Sequence, residues 1–151
     1  SGSRYWLGVV DIDHFKSVND RFGHLIGDEV LLLLSRIMRG AFRFSDQLYR
    51  FGGEEFVVLL LCNDEADAIV AFERFRKVVG EYPFPQAGKI TVSVGFTAIE
   101  TGDTPSVAFE RADRAVYHAK HNGRDQVSNY AELQRKGIVE DDKRVSDVEL
   151  F

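Results

Sequence analysis

The sequence contains a single cysteine, Cys62, so no disulfide bond can form within the chain. Such a chain is typical of a reducing compartment. Long apolar runs are also lacking, since residues 30–34 and 56–62 fall far short of the roughly 18 residues of a membrane span. We therefore expect a cytoplasmic protein, or the cytoplasmic domain of a larger sensor protein, that makes no membrane contact through this domain.

An excess of positive charge is lacking as well. The formal net charge is −5, whereas binding to a nucleic-acid backbone depends on many Lys and Arg side chains that neutralise phosphates. We therefore expect no nucleic-acid partner. A small anionic ligand remains compatible with this charge if a metal ion or a local group of bases offsets the field. The 151 residues, 44% of them hydrophobic, are enough for one globular domain with a buried core.

Apolar patterning predicts alternating strands and helices, which favours the α/β class. The predicted strands cover residues 5–12, 47–51, 56–61, 89–99 and 126–128, and the predicted helices cover residues 13–22, 27–42, 64–80 and 104–123. Asp28 is predicted to cap the second helix, and Gly95 to mark a bulge or a close approach. We expect residues 4–129 to form the domain, residues 1–3 to be a remnant of an expression vector, and residues 130–151 to be a tail or short helix outside the core.

Three acidic side chains are predicted to meet at one edge of the sheet. Asp11 ends the first strand, and Glu54 and Glu55 lie on a hairpin turn that follows Gly52 and Gly53. Close carboxylates repel one another unless a cation lies between them, and hard divalent cations prefer oxygen ligands. The alternative is that the two glutamates form an ordinary polar turn and that Asp11 caps a helix.

The two glycines favour a ligand at this edge. Without a β-carbon, Gly52 and Gly53 would let a phosphate or a nucleobase approach the backbone closely. Lys16, Lys120 and Arg124 follow predicted elements and could contact phosphates, although isolated bases are usually only solvated. Asp13 is either a second acid on the same strand face or a helix cap, and we favour a supporting role. The combination of acids, glycines and bases suggests a triphosphate site.

Four separated segments resemble the GGDEF family of diguanylate cyclases. They read VVDIDHFKSVNDRFGHLIGDEVL, RFGGEEFVVLL, ITVSVGF and RADRAVYHAKHNGRDQV, in the order found in that family. The resemblance implies an α/β (α+β) fold with a central, mostly antiparallel sheet flanked by helices, similar to class III nucleotide cyclases and polymerase palms. It also implies condensation of two GTP molecules into cyclic di-GMP with Mg²⁺ or Mn²⁺, across a homodimer. Glu54 stands where the family name has Asp, a common active variant.

The resemblance also implies roles for single residues. Asp11 and Glu54 would hold the metal ion together with the backbone carbonyl of Ile12, and Glu54 would accept the proton of the ribose 3′-hydroxyl. Glu55 belongs to the signature as a further catalytic acid that would support the metal ion or the turn. Asn19 and Asp28 correspond to the residues that read the guanine edge. The implied triphosphate contacts are Lys16, Lys120, Arg124 and the backbone amides around His14 and Phe15.

A second site is implied by an RxxD pattern. Arg43 and Asp46 form this pattern, and residues 47–51 separate it from Gly52, which is the spacing of the inhibitory product site in the family. Arg74 corresponds to a further contact of that site. Arginine forks bind phosphates or stack on guanine, and Asp46 could accept hydrogen bonds from guanine. Taken without its context, the pattern would be read as a salt bridge at a helix end.

The chain departs from the family in one respect. Members usually carry a DxLTxLxNR motif before the first strand, and this sequence has none, so we expect a catalytic piece excised from a longer sensor protein. Two other functions stay open. One is a binding module that holds GTP or cyclic di-GMP without turnover, which the intact Glu54 and Glu55 disfavour. The other is a cyclase that makes a mixed cyclic dinucleotide, which Asn19 and Asp28 disfavour.

Overall fold

The computed structural model describes residues 4–43 and 45–139. A five-stranded sheet forms the centre, and helices cover it. The strands are β1 (Arg4–Ile12), β2 (Gln47–Arg50), β3 (Glu55–Cys62), β4 (Val92–Ala98) and β5 (Gln126–Asn129). The helices are α1 (Phe15–Phe22), α2 (His24–Ala41), α3 (Glu65–Glu81), α4 (Pro105–His121) and α5 (Tyr130–Arg135).

The strand order across the sheet is β2-β3-β1-β4-β5. The β2–β3, β3–β1 and β1–β4 pairs are antiparallel, whereas β4 and β5 are parallel. The prediction of a mostly antiparallel sheet flanked by helices is therefore confirmed. None of the described helices is both long enough and apolar enough to cross a bilayer.

The alternation of side chains along β1 divides the core into two layers. Trp6, Val10 and Ile12 pack into the larger layer with residues of α2 and α3. Leu7 and Val9 point to the opposite face and pack against α4. Asp11 has the same parity as Leu7 and Val9, so the strand delivers its carboxylate to the face that α4 covers.

Gly95 allows α4 to lie directly on the sheet. A β-carbon at this position would lie 2.3 Å from the amide nitrogen of Val116 and 2.4 Å from the carbonyl oxygen of Ala112. Both atoms belong to the helix backbone, so no side-chain rotation could relieve the clash. The prediction of a close approach at Gly95 is therefore correct, and the contact fixes the height of α4 above the sheet.

Two predictions about helix positions are wrong. Asp28 does not cap α2, because the helix begins at His24 after Gly23 and Asp28 lies in its second turn. The predicted short helix after Asn129 is present as α5, but it does not lie outside the core, since Tyr130 and Leu133 are buried against Ala115. The part of that prediction that concerns residues 140–151 lies outside the described residues. Asn129 caps this short helix by accepting a hydrogen bond from the amide of Ala131.

The contact between α4 and the sheet can be tested with Gly95→Ala. We expect this change to lower the free energy of unfolding by about 1–3 kcal/mol, because the new methyl group overpacks a backbone contact. Urea unfolding with linear extrapolation measures the change. The control is Gly40→Ala, since a β-carbon at Gly40 would meet no atom of the described residues within 4 Å. Equal stability of the two variants would contradict the close contact.

Candidate functional site

The register of β1 and β3 brings the predicted acids together. Asp11 lies directly opposite Glu55, the first residue of β3. Glu54 immediately precedes Glu55 in the hairpin turn, and its carbonyl oxygen accepts a hydrogen bond of 3.4 Å from the amide of Ile12. The side chain of Ile12 is buried in the core, so only its backbone can reach the site.

Asp11 combines burial with one unused oxygen. The residue is 5% exposed, and its Oδ2 accepts a hydrogen bond of 2.8 Å from the ammonium group of Lys120 on α4. Its Oδ1 is buried and receives no hydrogen bond from the described residues. A proton on Glu54 could supply one, and so could a bound cation. An unsatisfied buried carboxylate oxygen is costly, which marks this atom as a place for a ligand.

The carboxyl groups around Asp11 have shifted proton affinities. The pKa of Glu54 is raised by burial first and then by the charge of Asp11, and Lys120 lowers it in part. The pKa of Glu55 is raised by burial, by Asp11 and by Asp113. The pKa of Asp113, on α4, is likewise raised by burial and by Asp11. These acids therefore repel one another around Asp11, and Lys120 offsets only part of the repulsion.

The acids are compatible with a divalent ion that also contacts a substrate. In residues 4–43 and 45–139, no three His, Cys, Asp or Glu side chains form a preassembled metal centre. Mg²⁺ is usually held by one or two carboxylates together with substrate phosphates and water. The unpaired Oδ1 of Asp11 and the nearby carboxyl of Glu54 fit this requirement. The predicted set of Asp11, Ile12 and Glu54 stays a prediction.

The hairpin turn between β2 and β3 is open. Gly52 has φ of +76°, a conformation that favours glycine. A β-carbon on either Gly52 or Gly53 would meet no atom within 4 Å in the part of the chain that the structure describes. Arg50 donates a hydrogen bond of 3.0 Å to the carbonyl of Gly53. The backbone geometry explains Gly52. Neither φ nor packing against the described residues requires Gly53, which is consistent with the approach of a ligand.

Asn19 and Asp28, the predicted guanine readers, come from α1 and α2. A β-carbon on Gly27 would lie 1.8 Å from Oδ1 of Asn19, so Gly27 makes room for that side chain. Asp28 follows Gly27 and is exposed. Asn19 and Asp28 thus flank one position where α1 and α2 meet. The side chain of Phe15 is buried in the core, so only its backbone could bind substrate.

The predicted phosphate contacts occupy two turns. His14, the N-cap residue of α1, has φ of +56° in the turn between β1 and α1. Lys16 is exposed and forms an ion pair of 3.2 Å with Asp20. Arg124 has φ of +59° in the turn between α4 and β5. Lys120 contacts Asp11, so its ammonium group lies among the acids.

Asp46 does not offer its carboxylate to solvent. Its side chain is 1% exposed, and it accepts hydrogen bonds of 2.8 Å from the amide of Arg43 and 3.0 Å from the amide of Leu61. Its role in this structure is to shape the turn before β2. The side chain of Arg43 is 62% exposed, and its guanidinium group donates a hydrogen bond to the carbonyl of Leu61.

Arg43 and Arg74 line one cavity of about 540 Å³, together with Asp46 and residues 60–63. Arg74 lies on α3 and donates a hydrogen bond of 3.2 Å to the carbonyl of Ala41. The fold thus brings the three residues predicted for an inhibitory site to one polar pocket. The expectation that Asp46 accepts hydrogen bonds from guanine finds no exposed carboxylate here.

Asp113 is absent from the residues predicted by sequence reasoning. It precedes Lys120 by seven residues, close to two turns of an α-helix, so both side chains lie along one side of α4. This spacing could have pointed to Asp113 from the sequence, because Lys120 was already predicted to belong to the site. Asp113 adds a negative charge next to Asp11 and Glu55.

Comparisons with known proteins agree with this geometry. The family described as "Diguanylate cyclase, GGDEF domain" matches residues 1–126. Diguanylate cyclase DgcP of Pseudomonas aeruginosa is 45% identical over 129 residues, which cover 83% of this chain and 19% of DgcP. The chain therefore spans about a fifth of the length of that relative.

Two solved structures superpose on most of the chain. The GGDEF domain of DgcB from Caulobacter crescentus, in complex with cyclic di-GMP, has a TM-score of 0.80 and 32% identity, covering 86% of this chain and 80% of that one. The active GGEEF domain of a diguanylate cyclase from Vibrio cholerae has a TM-score of 0.75 and 34% identity, covering 83% and 82%. Since the family match runs over residues 1–126 of 151, this chain belongs to the GGDEF domain family.

Proposed function

We propose that this domain is a diguanylate cyclase that condenses two GTP molecules into one cyclic di-GMP and two pyrophosphates. The observation that carries the proposal is the buried carboxylate of Asp11, whose Oδ1 receives no hydrogen bond from the described residues while Glu54 and Glu55 are ionised beside it. A purely structural acid in this position would be expected to have both oxygens satisfied. The family match supports the same reaction, and so do the relatives that are named diguanylate cyclases.

Each acid has a defined part in the proposed reaction. Asp11 and Glu54, with the backbone of Ile12, would hold Mg²⁺ or Mn²⁺. A bound divalent ion would lower the pKa of the attacking 3′-hydroxyl and offset the charge of the phosphates. Glu54 would accept the proton of that hydroxyl as general base. Glu55 and Lys120 tune the charge around Asp11.

The substrate lies between α1, the hairpin turn and the turn after α4. Asn19 and Asp28 face the guanine edge, whose donors and acceptors suit an amide and an acid. The triphosphate lies against the backbone amides at the start of α1, where the helix N-terminus favours an anion. Lys16 and Arg124 contact its oxygens from either side. Gly52 and Gly53 leave the hairpin turn open for this ligand.

The reaction requires two copies of the domain. Each copy carries a single set of these acids, and the product contains two guanosine units joined by two phosphodiester bonds. Two domains must therefore face each other, each supplying one GTP. We propose a homodimer as the active form and expect the isolated monomer to be nearly inactive.

The cavity that contains Arg43 and Arg74 is proposed to bind cyclic di-GMP and inhibit turnover. Two arginines in one polar pocket can form charge-assisted hydrogen bonds to phosphates or stack on guanine. Asp46 acts indirectly, because it holds the amides of Arg43 and Leu61 and so fixes the pocket wall. The bound cyclic di-GMP in the DgcB domain of Caulobacter crescentus is consistent with this class of ligand.

Incubation of the protein with GTP and Mg²⁺, followed by chromatography of the nucleotides, tests the proposed reaction. Formation of cyclic di-GMP and pyrophosphate is the expected result. Retention of GTP without product at any protein concentration would instead identify a binding module. A mixed cyclic dinucleotide formed when ATP is also present would contradict the choice of guanine alone.

Glu54→Gln should abolish most of the turnover. We expect a loss of at least about 100-fold, because the variant can neither accept the proton nor offer a charged ligand. Divalent-ion affinity, measured by calorimetry, should fall as well. The matched control is Glu100→Gln, which removes an exposed carboxylate that pairs with Arg4. Full turnover of Glu54→Gln would refute the assignment.

The same variant has a predicted effect on stability. Because the folded-state pKa of Glu54 is raised, the folded protein binds its proton at a higher pH than the unfolded chain does. The ionised form therefore costs stability above the raised pKa, and the cost is relieved as the pH falls through it. Without metal at neutral pH, Glu54→Gln should unfold at an equal or higher urea concentration than the wild type. A clear destabilisation would show that Glu54 serves the fold.

Gly27→Ala should weaken guanine recognition without unfolding the protein. The new methyl group would occupy the position of Oδ1 of Asn19, whose short side chain can turn away. We expect the Kd for GTP to rise about tenfold, as for the loss of one hydrogen bond in a recognition site. Fluorescence titration measures the Kd, and Gly40→Ala is the control in the same helix. Unchanged affinity would remove Asn19 from the site.

Arg43→Ala should weaken the binding of cyclic di-GMP. The loss of a charge-assisted hydrogen bond predicts a rise in Kd of about 10- to 100-fold, measured by calorimetry. Arg39→Ala is the control, because Arg39 is an exposed arginine in the last turn of α2. Turnover should remain, and its inhibition by the product should weaken. Unchanged inhibition would contradict a product site in this cavity.

A further inference from the structure

Asp13 is a buried acid that the proposed chemistry does not use. The residue is 3% exposed, and three donors point at its carboxylate. Ser93 Oγ donates to Oδ1 at 2.6 Å, and Thr91 Oγ1 donates to Oδ2 at 2.7 Å. The backbone amide of Asp125 also donates to Oδ2, at 3.0 Å. Asp13 therefore differs from Asp11, because both of its oxygens are satisfied within the chain.

These bonds join two turns that lie far apart in sequence. Asp13 belongs to the turn between β1 and α1, directly before His14. Asp125 belongs to the turn between α4 and β5, directly after Arg124. The bond from Asp125 to Asp13 spans 112 positions of sequence, so it sets the distance between the two turns.

The turn after α4 needs such support. Arg124 and Asp125 have φ of +59° and +47°, which residues with a side chain seldom adopt. The carboxylate of Asp125 accepts a hydrogen bond of 2.8 Å from Arg76 on α3, which holds the turn from its other side. The guanidinium group of Arg124 forms no ion pair with the described residues. Its location is therefore decided by the backbone of this turn.

We propose that Asp13 is a positioning residue for the triphosphate. By holding the amide of Asp125, it fixes the turn that presents Arg124 at a set distance from the start of α1. The proposal rests on the proposed function, in which Arg124 and the amides after His14 contact the same triphosphate. Asp13 itself does not touch the substrate.

The test compares three single variants by their Kd for a GTP analogue that is not turned over. Asp13→Ala should raise the Kd about tenfold, because Arg124 loses its fixed turn. Asp13→Asn keeps one oxygen for Asp125 and should stay within about threefold of the wild type. Ser93→Ala is the matched control, because it removes a bond to the same carboxylate that does not involve the turn. It too should stay within about threefold.

A double-mutant cycle with Arg124→Ala separates a positioning role from a general loss of stability. If Asp13 acts through Arg124, Asp13→Ala should change the Kd by less than about twofold in the Arg124→Ala background. An undiminished effect in that background would overturn the positioning role. A Kd that Arg124→Ala leaves unchanged would instead refute the phosphate contact of Arg124 in the proposed function.

Amide hydrogen exchange gives a readout that does not depend on nucleotide. The amide of Asp125 should exchange faster in Asp13→Ala than in Ser93→Ala, because only the first variant removes its acceptor. Should Asp13→Ala fail to fold, Asp13→Leu combined with Thr91→Val and Ser93→Ala removes the acceptor of the Asp125 amide together with the two hydroxyl donors, so that no buried hydroxyl is left unpaired. Unchanged exchange at Asp125 and unchanged Kd in that variant would overturn the proposal.

Discussion

The antiparallel register between β1 and β3 is the constraint on which the proposed chemistry depends. It places Asp11 opposite Glu55 on the face that α4 covers. Because side chains alternate along a strand, a slip of one residue would turn Asp11 into the opposite layer of the core. Burial prevents the slip, since Val10 and Ile12 are almost fully enclosed on that layer. The apolar contacts that stabilise the sheet therefore also keep the acids in place.

The helix α4 couples packing to electrostatics. It lies on β4 through the backbone contact at Gly95, and it carries both Asp113 and Lys120 to the acids. The ammonium group of Lys120 lowers the pKa of Glu54, Glu55 and Asp113, whereas burial raises all three. A shift of α4 would therefore change the pKa values of all three acids together. The cluster thus keeps a residual repulsion, as expected where a site is arranged for a ligand instead of for maximal stability.

Local sequence patterns predicted the features that depend on neighbouring residues. The hairpin around Gly52, the strand that carries Asp11 and the proline start of α4 are of this kind. The predicted start of α2 was wrong because the N-cap residue is Gly23, which has no side chain to mark the position in the sequence. Asp28 is a residue type that favours N-caps, but it lies inside the helix. The inward carboxylate of Asp46 and the buried Tyr130 depend on contacts with distant elements. Periodicity within one segment carries no information about such contacts.

The distribution of backbone strain also bears on the proposed location of the substrate. Within the described residues, the non-glycine positions with positive φ are His14, Gln86, Arg124 and Asp125. Gln86 lies in a tight turn closed by the bridge between Phe84 and Gly88. The other three belong to the two turns that the carboxylate of Asp13 joins. Glycine would relieve the strain at each of these three positions. The presence of other residues there is explained if their side chains or the fixed backbone geometry have a use. At Arg124 the proposed use is the guanidinium group, and at Asp125 it is the hydrogen bond to Arg76, both of which a glycine would remove.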